Sequence, residues 1–490
     1  MTEKINVVLT TEGTYPYYTG GVSTWADILV KKLDDIDFRI LAIMMHPYIT
    51  IKYDLPSNVK ELINVPLWGT EEPTEYISGL KLSEIFLRKL KTHYDVIEFV
   101  AEIVKNITQS IYLRKDNLLE IGYNLVQLYD IFQKYDYRIV FRSKVLWDTF
   151  YDISLLYFKD KKEKPSAYEI VESLRWLYRF LISILSPIRT ADIYHSTASA
   201  FCGLPCIIAK LKKGAKFVLT EHGIYMREQY LYASRQKLTN CTKNFFLGLI
   251  SLISKLNYYF ADIILPVCEH NKRWEKQFVK DINKIKVIYN GIDTERFKKI
   301  IVDRENRPTA VMVARIDHLK DIETYIKTCA IVKNTFPNIL FKLYGPVIEQ
   351  DYYETCKNHI QELNLENNFS FSGVSLSPEI AYNEGDVVVL TSISEAFPFA
   401  VLEGMACEKV VISSDVGGTK EILEGYGFIV KPKDAQAFAD KIIYVLQNPS
   451  KAAEIGIEAR QRVLNGFRID DMINNYRNVY YQFSKKQLLV

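Results

Sequence analysis

The stretch Asp386-Val-Val-Val-Leu390-Thr391-Ser-Ile-Ser-Glu395-Ala-Phe-Pro-Phe-Ala400-Val-Leu-Glu403-Gly-Met-Ala-Cys407 decides how this chain is read. Residues 386–390 form a continuous apolar run of the length of a buried strand, and residues 400–407 read as the first turns of a helix. A strand, a tight loop and a helix start make an anion cradle, because free backbone N–H groups and the helix dipole face the loop. Glu395 lies in the loop and Glu403 in the helix beyond it. A carboxylate repels phosphate, but it accepts hydrogen bonds from the sugar or ribose hydroxyls beside one. Together these features predict a nucleotide-sugar site. The plainer alternative is a capped helix carrying two solvated glutamates.

The surroundings repeat the pattern. Strands are expected at residues 309–314, 339–344, 369–372, 386–390 and 410–413, with helices between them. An earlier series has strands at 5–10, 38–44, 193–196, 216–220 and 261–267. Between about residue 70 and residue 187 the alternation stops, and Val96, Phe99, Val100, Ile103, Val104 and Ile107 keep helical spacing, as do Leu174, Leu177 and Ile182. The fold class is therefore α/β: two doubly wound, Rossmann-like domains with a helical insertion in the first. The expected boundaries are 1–268, 269–465 and a final helix at 466–490 that crosses back to the first domain. Asn290-Gly-Ile-Asp293 suits a crossing between domains.

Ligands of open α/β sheets bind at the carboxyl ends of strands. Arg315 and Lys320 follow the first strand of the second series and suit a diphosphate. Gly20 and Gly21 precede the first helix, where a phosphate or sugar can approach the backbone closely. His222 follows a strand of the first series, and a neutral imidazole there donates to a sugar hydroxyl or the departing phosphate. A core or capping histidine is the plain reading, and it is preferred for His195. Asp35-Ile-Asp37 has the form of a manganese-binding pair, but its place after a helix reads as a solvated turn. No other metal cluster is expected.

Composition removes several function classes. Of 490 residues, 48% are hydrophobic and 25% charged, and the net charge of +3 gives no basic footprint for nucleic acid. Seven scattered cysteines form no C-x-x-C pair, which predicts reduced thiols and a cytoplasmic setting. The most apolar segment, residues 245–254, reaches Lys255 well short of the roughly 20 residues a spanning helix needs. It reads as a core helix, and the chain as a protein without a transmembrane span.

Jointly, Gly20-Gly21, Asn290-Gly-Ile-Asp293, Arg315 with Lys320, and Glu395-x7-Glu403 followed by Val416-Gly-Gly418 resemble the glycosyltransferase family 4 pattern on the GT-B fold, two Rossmann-like domains facing a cleft. Glu12-Gly-Thr-Tyr-Pro-Tyr with Gly-Gly-Val-Ser-Thr-Trp25, Glu221-His-Gly-Ile-Tyr with Arg227 and Glu228, Leu319-Lys-Asp-Ile322 and the helical insertion resemble more narrowly the PelF group, which makes the Pel exopolysaccharide in the cytoplasm. The resemblance implies a retaining transferase that moves a hexose or N-acetylhexosamine from a UDP-sugar to a growing polysaccharide without a metal or other cofactor. It puts Arg315 and Lys320 on the donor diphosphate and Glu403 on the ribose. The backbone of Phe397, Pro398 and Phe399 would meet sugar and phosphate, and the segment at Val374 the uracil. His222 and Glu395 would be catalytic, with Gly20 and Gly21 also on the donor side. Glu12, Tyr225, Arg227 and Glu228 would stand on the acceptor side. Pro398 replaces the glycine of many family 4 members, a departure shared by the PelF group, and removes one N–H donor. Implied partners are the UDP-sugar, the polysaccharide acceptor and membrane proteins of an export system, with a peripheral place at the inner face of the membrane. A UDP-sugar epimerase would need added carboxylates in the first half, and a phosphorylase a pyridoxal-phosphate lysine. A non-catalytic scaffold of a secretion complex would not need Arg315, Lys320, Glu395 and Glu403 together.

Overall fold

The structure is a computed structural model describing residues 4–68, 81–114, 117–159, 161–162 and 164–484. Strands β1 (Ile5–Glu12), β2 (Ile36–Met44), β3 (Val59–Pro66), β4 (Ile193–Ser196), β5 (Lys216–Glu221) and β6 (Ile263–Pro266) pair in parallel in the order β3-β2-β1-β4-β5-β6. Strands β7 (Thr309–Val313), β8 (Leu340–Tyr344), β9 (Phe369–Phe371), β10 (Val387–Leu390), β11 (Val410–Ser414) and β12 (Phe428–Val430) do the same in the order β12-β11-β10-β7-β8-β9. All four residues of β10 are buried, as expected of a strand covered by helices on both faces. In each sheet the chain builds outward from the middle, then returns and builds outward the other way. The reversal leaves a crevice outside the carboxyl ends of the two middle strands. These are β1 and β4 in the first sheet and β7 and β10 in the second.

The chain divides into two units. The first holds the described residues up to Pro266, residues Arg273–Lys286, and those from Arg477 onward; the second holds Val267–Lys272 and Val287–Tyr476. β3 and β12 are additions to the sequence reading. β3 is an edge strand carrying Lys60 and Glu61 in its first half, and β12 has only three residues, so neither shows a clear apolar period.

Helices Leu82–Lys91, Tyr94–Leu113, Leu118–Phe132, Tyr137–Phe141, Lys144–Phe158 and Ala167–Phe180 stand between β3 and β4, which is the insertion; residues 69–80 at its start lie outside the described residues. Val100, Ile103, Val104 and Ile107 are buried as their spacing requires, but Phe99 is 51% exposed. The buried stripe continues through Ile111, and Phe99 lies roughly 100° around the helix from its neighbour Val100. The apolar residues 245–254 belong to helix Asn240–Phe260, where Phe245, Leu249, Ile250 and Ile253 are core. No helix of the described residues is long and apolar enough to cross a membrane.

Asp35 and Asp37 correct the expectation of a solvated turn. Asp37 lies in β2, 3.6 Å from the Lys60 ammonium, while Asp35 accepts hydrogen bonds from Arg477 at 3.3 Å and Tyr481 at 3.1 Å. Both partners of Asp35 are on helix Ile469–Ser484, whose Tyr480 is buried against Phe38 of β2. The Tyr480 hydroxyl pairs with His195 Nδ1 at 2.6 Å, and His195 Nε2 pairs with Thr220 Oγ1 at 2.8 Å. His195 is thus held at both ring nitrogens. Withdrawal from water lowers its pKa to about 3, so it is neutral at physiological pH. Tyr480→Phe removes one of these buried partners. It is expected to lower unfolding free energy by about 1–3 kcal/mol, read as a lower midpoint in urea denaturation.

Candidate functional site

Because Lys320 follows β7 and Glu395 follows β10, the strand order of the second sheet brings them to one crevice. Lys320 Nζ lies 2.5 Å from Glu395 Oε1, and Ser392 Oγ donates to the same oxygen at 2.6 Å. Backbone bonds join the two loops. The Ile393 N–H donates to the Leu319 carbonyl at 2.9 Å, and Thr391 Oγ1 donates to the carbonyls of Lys320 at 2.9 Å and Asp321 at 3.0 Å. Arg315 stands on the same sheet edge with its side chain 46% exposed and 3.2 Å from Asp317. Asp317 in turn caps the turn His318–Lys320 by accepting the Leu319 N–H at 3.0 Å.

The Glu395 loop is held from behind by its carbonyls. Ala396 O accepts the Gly418 N–H at 2.6 Å and the Cys268 thiol at 3.5 Å, and Phe397 O accepts Asn290 Nδ2 at 3.5 Å. Gly417 has φ 57°, and a Cβ there would fall 1.9 Å from Glu395 O. A Cβ on Gly418 would fall 2.8 Å from Ala396 O. The glycine pair therefore serves close approach of two backbone segments. Helix Phe399–Ala406 begins just beyond, with Pro398 at its cap, no capping side chain and no acidic residue in its first turn. The N–H groups of Phe399 and Ala400 have no partner within the helix, and they add to its positive end.

Phe397 is 4% exposed and packs against Tyr289 and Phe467. Val374 follows β9 at the same carboxyl edge and is 63% exposed. Glu403 accepts the Tyr382 hydroxyl at 2.7 Å. Withdrawal from water pushes its pKa up to about 7, against the opposing pull of Arg296.

In the first unit, Gly20 caps helix Gly21–Lys32, and a Cβ built on Gly20 meets open space. Trp25 of that helix is fully buried, with its ring 4.6 Å from the ring of His222 and 5.6 Å from that of His195. His222 follows β5; its Nε2 is buried with no hydrogen-bond partner, and withdrawal from water lowers its pKa to about 3. Glu12 ends β1, accepting the Cys202 N–H at 3.1 Å and the Tyr225 hydroxyl at 3.2 Å, and burial pushes its pKa up to about 7. Helix Tyr225–Arg235 carries Arg227 and the exposed Glu228 in its first turn, the latter lying against Gly223.

Sequence reading missed the acid beside His222. Glu221 is buried, accepting Ser199 Oγ at 2.5 Å, Tyr258 hydroxyl at 2.7 Å and the Tyr225 N–H at 3.2 Å. Burial raises its pKa, and the buried Glu275 carboxyl is near enough to influence it. Glu221 stands next to His222 in sequence, which was a local signal; Glu275 lies 54 positions after Glu221 and had none. Among the described residues no three His, Cys, Asp or Glu side chains converge as metal ligands do.

The chain belongs to the family described as "Domain of unknown function (DUF3492)", whose model matches residues 5–278, more than half of its length. Residues 293–462 match the model described as "Glycosyl transferases group 1". Over 198 residues the chain is 31% identical to a trehalose synthase of Thermococcus litoralis, covering 39% of this chain and 47% of that protein. The chain thus spans about half the length of that relative, as of the trehalose synthases of two Pyrococcus species, at 47% and 45%. A longer match of 350 residues at 24% identity covers 67% of this chain and 81% of the UDP-Gal:alpha-D-GlcNAc-diphosphoundecaprenol alpha-1,3-galactosyltransferase of Escherichia coli. The crystal structure of Anabaena HepE in complex with UDP-glucose superposes with a TM-score of 0.60 at 14% identity, covering 98% of this chain and 100% of that one. That likeness speaks to the fold, which is GT-B.

Two outcomes follow from this geometry. Gly417→Ala forces the Glu395 loop away and strains a positive φ; it is expected to cost about 1–3 kcal/mol of stability, measured by urea denaturation. Glu403 binds its proton more tightly in the folded than in the unfolded chain, so its contribution makes stability fall as pH rises from the ordinary glutamate value of 4.5 to about 7. Glu403→Gln is expected to remove that part of the slope, seen as a smaller loss of stability between the same pH limits.

Proposed function

We propose that this chain is a cytoplasmic glycosyltransferase that moves a hexose or N-acetylhexosamine from a UDP-sugar to a growing exopolysaccharide of the Pel kind, with retention of configuration. The observation that carries the reading is the meeting of Lys320 with Glu395 beside the uncapped start of helix Phe399–Ala406. A cation, free N–H groups and a hydroxyl-accepting carboxylate at one sheet crevice match the parts of a sugar diphosphate. The group 1 match over residues 293–462 covers that crevice, and the Escherichia coli relative named above takes a UDP-sugar.

In this reading the diphosphate takes Lys320 away from Glu395, and Arg315 and the helix start share its charge. Glu395, once released, turns to the hydroxyls of the transferred sugar, and Glu403 accepts from the ribose. As the bond from the anomeric carbon to the diphosphate breaks, negative charge grows on the leaving oxygen. Lys320, Arg315 and the helix dipole stabilise it in place, without a metal. The acceptor hydroxyl attacks from the side the leaving group vacates, and the leaving diphosphate takes its proton. The neutral ring of His222, kept unprotonated by burial, would bond a sugar hydroxyl near the reacting carbon. Glu12, Tyr225, Arg227 and Glu228 would line the acceptor side, and membrane proteins of an export system would receive the product.

One observation favours a second reading. The carboxyls of Glu12, Glu221 and Glu275 sit in the first unit, where a UDP-sugar epimerase would keep its acid and base groups. The oxygens of Glu12 and Glu221 are already taken by Cys202, Tyr225, Ser199 and Tyr258, which suits a supporting role better. Incubation with UDP-sugars and no acceptor, followed by NMR, separates the two, since only an epimerase converts the sugar.

Calorimetric titration with UDP, ADP and GDP, with and without EDTA, tests the main reading. UDP is expected to bind best, EDTA to leave binding unchanged, and Lys320→Ala to weaken it by about tenfold or more. Glu395→Gln removes the anion that competes for Lys320. It is expected to tighten UDP binding by about fivefold, the worth of a partly exposed ion pair, while abolishing most transfer. An absence of nucleotide binding would leave a scaffold as the reading.

A further inference from the structure

Among the described residues, helix Leu82–Lys91 is unlike the other long helices in burying none of its residues fully. Leu82 is 86% exposed, Phe86 61%, Leu90 66% and Leu87 50%. At 100° per residue these four fall on one arc of about 140°, with only Ser83 among them. Ile85, Arg88 and Lys89 face the protein instead and are partly buried, and Arg88 anchors the helix by donating to the Phe132 carbonyl at 3.1 Å. The exposed arc is therefore an outward apolar face on a helix that is capped and fixed. Its cap is Lys81, whose N–H donates to Glu84 at 2.9 Å.

Charge says what such a face meets. Residues 81–91 carry four basic side chains, Lys81, Arg88, Lys89 and Lys91, against the single acid Glu84. The whole chain has a net charge of only +3, so this short helix is a local positive centre. Lys81 and Lys91 stand at its two ends, both exposed. Leucine and phenylalanine on one arc with lysines beside them form the pattern of a helix that lies in the plane of a bilayer surface, apolar side down, lysines toward anionic headgroups. Area argues against a second copy of the chain. Ten residues at about 1.5 Å each give a face roughly 15 Å long and 10 Å wide, far below the roughly 800 Å² per partner of a stable dimer. A bilayer sets no such minimum.

We propose that helix Leu82–Lys91 docks the protein on an anionic membrane surface, inserting Leu82, Phe86, Leu87 and Leu90 among the headgroups. The proposal does not depend on the sugar-transfer reading, since no residue of the candidate site lies on this helix. The full chain is to be sedimented with vesicles of phosphatidylcholine alone and of phosphatidylcholine mixed with phosphatidylglycerol. Co-sedimentation with the mixed vesicles, weakened by salt and lost in the exposed double variant Phe86→Glu, Leu90→Glu, supports it. Lys91→Glu is expected to reduce binding without abolishing it. Failure of the wild type to sediment, or undiminished binding of the double variant, overturns the proposal. Equal binding to phosphatidylcholine alone overturns the assignment to anionic lipid. A dimer in sedimentation velocity that the double variant dissolves would show a second copy on this face instead. UDP binding by the double variant reports that the substitutions leave the fold intact, and circular dichroism does so whether or not the nucleotide binds.

Discussion

The parallel pairing of β10 with β7 is the constraint on which the candidate site depends. A chain that lays down β7, β8 and β9 in one direction and then returns beside β7 has to put the loop after β10 next to the loop after β7. Lys320 and Glu395 are 75 residues apart, and only that return makes them neighbours. The remaining contacts refine the result. Thr391 and Ile393 stitch the loops together, while Gly417 and Gly418 bring a third backbone segment against the carbonyls of Glu395 and Ala396. Each of these demands a particular residue type: a hydroxyl at 391, no Cβ at 417 and 418, and an unencumbered helix start after Pro398.

Much of this was legible in the sequence, for a physical reason. The strands of a sheet covered on both faces are continuous apolar runs, so β1, β4, β5, β7, β8, β10 and β11 announce themselves. The helix Ile469–Ser484 was equally clear from its apolar spacing. Edge strands are a different matter: β3 mixes charge with apolar residues, and β12 is too short to show a period. At the site, Lys320, Glu395 and Glu403 could be singled out from residue type and from their positions after a strand. That Lys320 and Glu395 engage each other, and that Glu403 lies against Tyr382, are facts of tertiary packing with no local trace. Phe99 shows the converse. It has the right residue type for the core, but the helix it sits on turns it outward.

The two halves solve the burial of carboxylates differently. In the second unit, Glu395 lies beside a lysine and a serine hydroxyl. In the first, Glu12 accepts from the Cys202 N–H and the Tyr225 hydroxyl, and Glu221 from Ser199, Tyr258 and the Tyr225 N–H. Burial then favours the protonated form of Glu12 and Glu221. The imidazole of His222 is neutral by the same loss of water.

The helix Ile469–Ser484 gives the first unit an unusual dependence on synthesis order. Its residues from Arg477 onward belong to that unit and supply partners to Asp35 and His195, yet they leave the ribosome after the entire second unit. A nascent chain can lay down all six strands of the first sheet and still lack the tyrosine that pairs with a buried histidine between β1 and β5. Domains tend to fold as they emerge, N-terminal first. Here the earlier one waits for a helix that emerges after the second unit.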